Sequence, residues 1–184
     1  MKPKLLLHSC CAPCSSAVIE RLLKDYNITI YYYNPNIYPV DEYDRRKSEQ
    51  IQYCKKLGVD ILVGDYNPSQ YLIAIKGNEE LPEKSVRCYK CYELRIYETA
   101  KKARELGFDY FTTTLSISPH KNATWINEIG KKLESEDCKF LESNFKKQNG
   151  YLRSIELSKE NNFYRQDYCG CEMSFNARKK GGEK

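Results

Sequence analysis

Lys4-Leu5-Leu6-Leu7-His8-Ser9-Cys10-Cys11-Ala12-Pro13-Cys14-Ser15-Ser16 is the stretch from which the fold is read. The apolar run Lys4–His8 has the length and bounds of a short buried strand. Pro13 and Ser15-Ser16 then open a helix, expected to reach about Asp25 with Val18, Ile19, Leu22 and Leu23 on one face. A strand that passes through a cysteine turn into a helix is one unit of an alternating α/β pattern.

The pattern continues outward. Ile28–Tyr33 is β-branched and aromatic, and it stops at the turn signal Asn34-Pro35-Asn36. Asp41 is the expected N-cap of a helix to Leu57, which Gly58 ends. Asp60–Val63 is a third strand, and Asn67-Pro68-Ser69 starts a further helical turn. A long helix is expected from about Cys91 to Leu106, with Leu94, Tyr97, Ala100, Ala103 and Leu106 in phase and Gly107 as its cap. Tyr110–Thr114 is a fourth strand, Lys121–Leu133 is helical, and Lys139–Leu141 is a short fifth strand. Strands alternating with helices predict a mostly parallel sheet covered by helices on both faces. Residues 1–175 are expected to form a single α/β metalloenzyme domain, and 176–184 a flexible basic tail.

In such sheets ligands bind at the carboxyl ends of the strands. Cys10, Cys11 and Cys14 follow the first strand at that edge, and Ser116–His120 follows the fourth. Two more tight cysteine clusters occur far away, Cys88-Tyr89-Lys90-Cys91 and Cys169-Gly170-Cys171. Seven of the nine cysteines thus lie in three clusters spread over the whole chain. That distribution suits one site drawn together by folding. A single zinc site closes with four ligands, and a cubane iron–sulfur cluster also takes typically four thiolates. Seven thiolates point to a cluster plus a second metal or a redox-active pair.

Cys88-x2-Cys91 is a common metal-ligand spacing at a helix start, where Arg87, Lys90 and Arg95 add positive charge. Gly170 permits the sharp turn that aims Cys169 and Cys171 at one place. Cys54 falls on the apolar face of a helix and Cys138 stands alone, so both read as structural. A disulfide framework needs an oxidising compartment. Met1–His8 carries neither a long apolar core nor a signal-type cleavage site, and no segment is long and apolar enough to span a membrane. A cytoplasmic setting is expected. Cys11-Ala12-Pro13-Cys14 between strand and helix also fits a thioredoxin-type thiol–disulfide oxidoreductase. That fold places a strand and helix before the motif, and here the motif strand already begins at Lys4.

Lys and Arg number 30 against 25 Asp and Glu, a net charge of +5 that permits an anionic partner such as RNA. Sixteen tyrosines offer base-stacking surface, although packing with the hydroxyl outward accounts for most. Tyr33, Tyr38, Tyr89 and Tyr92 are candidates for base contacts, and the Arg45-Arg46-Lys47 run and Lys121 for backbone contacts. A solvated helix start is the preferred reading of Arg45-Arg46-Lys47, with substrate contact the lesser one. His120, between Pro119 and Lys121, is either a helix-start residue or a proton donor at the strand edge. There is no Gly-x-Gly-x-x-Gly and no Walker loop, so dedicated nucleotide or flavin binding is unsupported.

Several motifs, in this order, resemble the epoxyqueuosine reductase QueH family. They are His8-Ser9-Cys10-Cys11-Ala12-Pro13-Cys14, Tyr33-Asn34-Pro35-Asn36-Ile37, Arg87-Cys88-Tyr89-Lys90-Cys91-Tyr92, Thr112 to Asn122, and Tyr168-Cys169-Gly170-Cys171. The resemblance implies an adenine-nucleotide-hydrolase-like α/β fold. It implies reduction of epoxyqueuosine to queuosine at the wobble position of tRNA, the last step of queuosine synthesis. It further implies a [4Fe–4S] cluster with a further iron beside it, held by Cys10, Cys11, Cys14, Cys88, Cys91, Cys169 and Cys171, an unidentified electron donor, and no cobalamin. The chemistry asks for two electrons and two protons, with water as product and an acid such as His120 or a tyrosine nearby. A reading from another class is a zinc-stabilised RNA-binding module without catalysis.

Overall fold

A computed structural model describes residues 1–181 of the chain. Five strands form one parallel sheet in the order β3-β2-β1-β4-β5: β1 Lys4–His8, β2 Asn27–Tyr32, β3 Asp60–Val63, β4 Tyr110–Thr113 and β5 Lys139–Phe140. β1 lies at the centre, and Leu5 pairs with Ile28 on one side and Tyr110 on the other. The chain builds outward from β1 to β3, then crosses to the far side of β1 for β4. The strand order therefore reverses at β1, and the connections leaving β1 and β4 part there. A crevice opens at such a switch point. This is the expected fold class, with Lys4–His8 and Asp60–Val63 matching their expected bounds at both ends and the other three strands within one residue at either end.

β1 explains why both faces are covered. Leu5 and Leu7 point into an apolar layer with Val18 and Ile19 of α1 (Ala12–Leu22), Ile28 and Ile30 of β2, and Leu157 of α6 (Gly150–Glu160). Leu6 points the other way, into a layer with Phe111 of β4, Ile96 and Ala100 of α4 (Val86–Glu105), and Ile126 and Ile129 of α5 (Ala123–Leu133). A strand hydrophobic on both faces can only be an interior strand. The remaining helices are α2 (Val40–Leu57), α3 (Pro68–Ile75) and α7 (Glu172–Gly181), with a 3-10 turn over Thr114–Ile117 after β4.

Several elements differ from expectation. α1 stops at Leu22 rather than Asp25. α2 starts at Val40 after Pro39, so Asp41 sits inside the first turn, where its charge favours the helix without capping it. Gly58 does end α2, with φ +66. α4 begins at Val86, and its buried face is Cys91, Tyr92, Arg95, Ile96, Thr99, Ala100 and Ala103. Tyr97 and Leu106 are half exposed instead. The polar Arg95 and Thr99 occupy the hidden stripe and so disguised its phase. α5 starts at Ala123, because the Asn122 side chain accepts a hydrogen bond from the Trp125 N–H and sets the cap there. Lys121 and His120 therefore precede the helix. The expected loose tail is helical in α7 as far as Gly181, held by an Arg178–Asp167 ion pair and by Arg178 over the Tyr168 ring. Residues 182–184 of that tail lie outside the described residues.

Candidate metal centre

The β1–α1 turn is built from buried polar bonds. Both ring nitrogens of His8 are occupied, Nδ1 with Thr113 Oγ1 at 2.8 Å and Nε2 with the Tyr33 carbonyl at 3.0 Å. Burial first, and then the charge of Arg95, push His8 down to about 4, so it is a neutral imidazole that ties the ends of β1, β2 and β4 together. The Asn34 side chain donates to the Ser9 carbonyl at 2.8 Å. Ser9 and Ser15 hydroxyls both donate to Gln50 Oε1, at 2.8 and 2.9 Å, and Gln50 Nε2 reaches Cys54 Sγ at 3.3 Å. This network fixes the cysteine turn from below and gives Cys54 a structural role, buried as expected.

On this base the sulfurs of Cys10, Cys11 and Cys14 lie within 4.8 Å of one another. Cys10 and Cys11, although adjacent, do not diverge: their sulfurs are 3.7 Å apart. Cys10 is held well below the usual thiol range, chiefly because Cys11 and then Cys14 donate to its sulfur. Cys11 is pushed up to about 12, and Cys14 is raised as well, by the same sharing. All nine cysteines are free thiols.

The other four cluster cysteines arrive at the same end of the sheet from distant segments. Cys88 and Cys91 occupy the first turns of α4, and Cys171 directly precedes α7. Cys91 and Cys171 pack in one small cluster with Tyr71 and Ile75. Burial, opposed by the charge of Arg95 and helped by the sulfurs of Cys169, Cys171 and Cys88, pushes Cys91 up to about 12. Cys138 is buried in the α4–α5 layer just before β5, whose Lys139 pairs with Tyr110 at the start of β4, at the end of the strands opposite the cysteine turn. Among the described residues, no set of three metal-binding side chains other than Cys10, Cys11 and Cys14 converges within 4.8 Å.

Three helix N-termini point at these sulfurs. Cys11 is the N-cap of α1, Cys88 lies in the first turn of α4, and the Ser174 N–H in the first turn of α7 donates to Cys171 Sγ at 3.4 Å. Positive helix ends favour thiolates. Cys169-Gly170-Cys171 is pinned to the β2–α2 connection, because the Tyr38 N–H donates to the Gly170 carbonyl at 2.8 Å. Gly170 has φ +126, and a side-chain carbon there would meet Arg46 Nη1 at 3.0 Å. Only glycine serves both needs.

Arg95 was expected beside the Cys88–Cys91 pair, but the burial of Arg46 and Arg95 was not. Arg46 is 1% exposed rather than solvated. It pairs with Glu42 at 2.7 Å, and its Nη2 is buried with no partner. Arg95 is 2% exposed and donates from Nε to the Cys91 carbonyl at 3.2 Å and from Nη2 to Cys91 Sγ at 3.3 Å. Burial alone would lower Lys121, but the sulfurs of Cys169, Cys10 and Cys14 raise it overall. Burying cations is costly unless an anion answers them. Glu42 answers Arg46 alone and leaves the buried Arg95 and the half-buried Lys121 without an acid. An anionic group held by thiolates fits this surplus of buried positive charge.

A cavity of about 510 Å³ opens over the sulfurs, with Cys14, Cys88, Cys169, Tyr92, Lys121 and Gln166 in its wall. Gln166 Nε2 donates to Cys11 Sγ at 3.3 Å, and its Oε1 is buried without a partner. His120 lies on the exposed rim of this cavity and Lys121 beside it. Of the tyrosines proposed for base contact, Tyr33 and Tyr92 are buried, and Tyr89 stands edge-on to Trp125. Tyr38 is 41% exposed and meets Phe175, which in turn meets Tyr168.

Fold and site together define an α/β protein with a thiolate-lined, cation-backed centre at the switch point of its sheet. The family profile described as "Epoxyqueuosine reductase QueH" matches residues 5–177. The chain is 45% identical over 178 residues to the Epoxyqueuosine reductase QueH of Streptococcus pyogenes serotype M1, covering 93% of this chain and 70% of that protein. It is 35% identical over 174 residues to the protein of the same name from Thermotoga maritima, covering 92% and 89%. The chain belongs to the QueH family and is an oxidoreductase. Among solved structures, the U34-tRNA thiolase NcsA from Methanococcus maripaludis with its [4Fe-4S] cluster shares the fold at TM-score 0.54 and 13% identity, over 99% of this chain and 65% of that one. No helix of the described residues is long and apolar enough to cross a membrane.

Proposed function

We propose that this protein reduces epoxyqueuosine to queuosine at the wobble position of tRNA, in the cytoplasm. The observation that carries the reading is the meeting of the two cysteine groups at one cavity, lined by Cys14, Cys88 and Cys169 and backed by Arg46, Arg95 and Lys121. We assign Cys88, Cys91, Cys169 and Cys171 to a [4Fe–4S] cluster and Cys10, Cys11 and Cys14 to a further iron. When bound, these groups supply electrons singly and a Lewis-acid position for an oxygen.

The chain's own residues do the rest. The cavity wall holds the modified base over Cys14 and Cys169. The unpartnered Gln166 Oε1 accepts a hydroxyl of the substrate's ring. Lys121 places a positive charge beside the oxygen that leaves, and His120 at the rim relays protons from solvent. Reading one base of an anticodon loop requires it unstacked against aromatic groups. Tyr38, Tyr168 and Phe175, with Arg178 over two of these rings, form an aromatic rim beside the cavity. Arg45 lies over Tyr164 at 3.4 Å, whereas Arg46 is spent inside and Lys47 is paired with Asp44.

The 3.7 Å separation of the Cys10 and Cys11 sulfurs favours a second reading, thiol–disulfide exchange, which predicts activity without metal. Anaerobic purification separates the two. The expected protein is brown, carries more than about four irons per chain with acid-labile sulfide, and in a single turnover reduces epoxyqueuosine in tRNA faster than the free nucleoside. That advantage should fall steeply with salt, because phosphate contacts release counterions. Zinc without sulfide, or turnover by metal-free protein, would sink the reading.

A further inference from the structure

Arg95 is unlike the other buried arginines of this chain. Arg46 has a carboxylate, Glu42 at 2.7 Å, and Arg87 donates to the Glu79 carbonyl at 3.0 Å. Arg95 has no acidic partner among the described residues. Both of its polar contacts go to one residue, the Cys91 carbonyl and the Cys91 sulfur at 3.2 and 3.3 Å. Its side chain starts one turn after Cys91 on the hidden face of α4, and Thr99 one turn later hydrogen-bonds the Arg95 carbonyl. The sulfurs that face it come from three segments, Cys91 on its own helix, Cys10 on the β1–α1 turn and Cys169 on the C-terminal loop, and Tyr92, the neutral His8 and the like-charged Lys121 also lie near it. The guanidinium therefore stands between the two cysteine groups, out of water. Arg46 is answered by an acid and Arg87 by a backbone carbonyl. This one is answered by sulfur.

Adding an electron to an iron–sulfur group makes it more negative. A fixed cation and an N–H bond to a ligand sulfur favour that added charge, and in a dry site the effect is large. We propose that Arg95 sets the reduction potential of the iron–sulfur group held through Cys91, raising it by its hydrogen bond to the Cys91 sulfur and by its buried charge. The inference rests on the assignment of Cys88, Cys91, Cys169 and Cys171 as ligands. The step concerned is the gain of one electron from a low-potential one-electron reductant, with no bond made or broken. Arg95 does not touch the cavity, so its role is to tune the centre rather than to contact substrate.

The experiment uses full-length wild type, Arg95→Lys and Arg95→Met, purified anaerobically. Iron and sulfide are assayed, and the centre is titrated with dithionite and mediators while EPR is recorded. Iron and sulfide should be equal in all three. Arg95→Met should hold about tenfold less reduced centre at a fixed applied potential, a midpoint lower by about 59 mV for one electron. Arg95→Lys keeps the charge but loses the fork to Cys91, and should fall between the two. Intact iron with an unchanged midpoint in both variants overturns the inference alone. If Arg95→Met does not fold or load, Arg95→Lys decides by the same measurement. Wild type without iron and sulfide overturns the ligand assignment and this inference with it.

Discussion

The two cysteine groups are built in opposite ways. Cys10, Cys11 and Cys14 lie in one turn between β1 and α1, and their sulfurs are already within 4.8 Å. The turn is held by His8, Ser9, Ser15 and Gln50, all buried and all hydrogen-bonded. Cys88 and Cys91 come from α4, while Cys169 and Cys171 come from a loop some eighty residues later, and no three of these four sulfurs converge as tightly. The first group is shaped by the fold. The second is brought near by the fold and needs what it binds to close it, as when metal binding contributes to folding free energy. The difference teaches that the local site should survive loss of metal and the assembled one should not.

The largest effect should come from the assembled group. Cys88→Ala and Cys169→Ala, like chelation of the wild type, should lose iron, sulfide and activity together. They should also open the segment from Tyr164 to Gly181 to protease, because Cys169 and Cys171 anchor it. Cys14→Ala should lose activity but keep a sulfide-bearing cluster and the protease resistance. Limited proteolysis with iron and sulfide assays reads all three. If Cys14→Ala also stripped the sulfide, the division of the sulfurs into two groups would be wrong.

The supports beneath the two groups can be compared in the same way. Gly170→Ala forces φ +126 on a residue with a side chain and presses it against Arg46 Nη1. It should cost about 3 kcal/mol from backbone strain and displacement, and lower iron content. Gln50→Ala removes the shorter acceptor of both buried hydroxyls, and leaves Ser9 only the Cys11 carbonyl at 3.3 Å and Ser15 only the Ala12 carbonyl at 3.2 Å. It should cost about 2 kcal/mol and loosen the first turn while the cluster ligands stay in place. Denaturant melts of the loaded proteins, with iron assayed beforehand, test the pair. Equal iron loss in both variants would erase the contrast.

The locally built half of this molecule was legible in its sequence, and the assembled half only in part. Strand runs such as Lys4–His8 and Asp60–Val63 declare themselves by composition, and they fix the sheet edge where Cys10–Cys14 must lie. α6 and α7 went unread, because residues 150–160 and 172–181 carry few apolar residues in phase and α7 is held largely by rings and by the Arg178–Asp167 ion pair. Arg46 read as surface charge, and Arg95 as positive charge beside the Cys88–Cys91 pair, without its burial. Nothing local marks a buried cation when its partner is a sulfur far away in sequence or a group the protein must bind. The one available signal was position: Arg95 falls four residues after Cys91, on the same helix face. Lys121 was read as a contact to RNA backbone, and the structure puts it in the cavity wall beside the sulfurs.

The smallest expected effects belong to the two cysteines outside both groups, and they sharpen the comparison by exclusion. Cys54 is fully buried on α2, and its sulfur only accepts from Gln50 Nε2 at 3.3 Å. Cys54→Ala removes one polarizable atom and one weak acceptor, while Gln50 keeps both serine hydroxyls on its other end. A loss of about 1 kcal/mol is expected. Cys138 is packed in the α4–α5 layer with Phe140 and Phe111. Cys138→Ser places a hydroxyl among apolar groups and should cost about 1–2 kcal/mol. Neither change reaches the cavity or any of the seven sulfurs, so iron, sulfide and single-turnover rate should match wild type once the protein is folded. The informative measurement is iron per folded chain rather than yield, since a less stable variant gives less protein without binding less metal. Iron loss in folded Cys54→Ala would mean that the Gln50 network transmits strain to the Cys10–Cys14 turn, and that the first group is less independent of its surroundings than its geometry indicates.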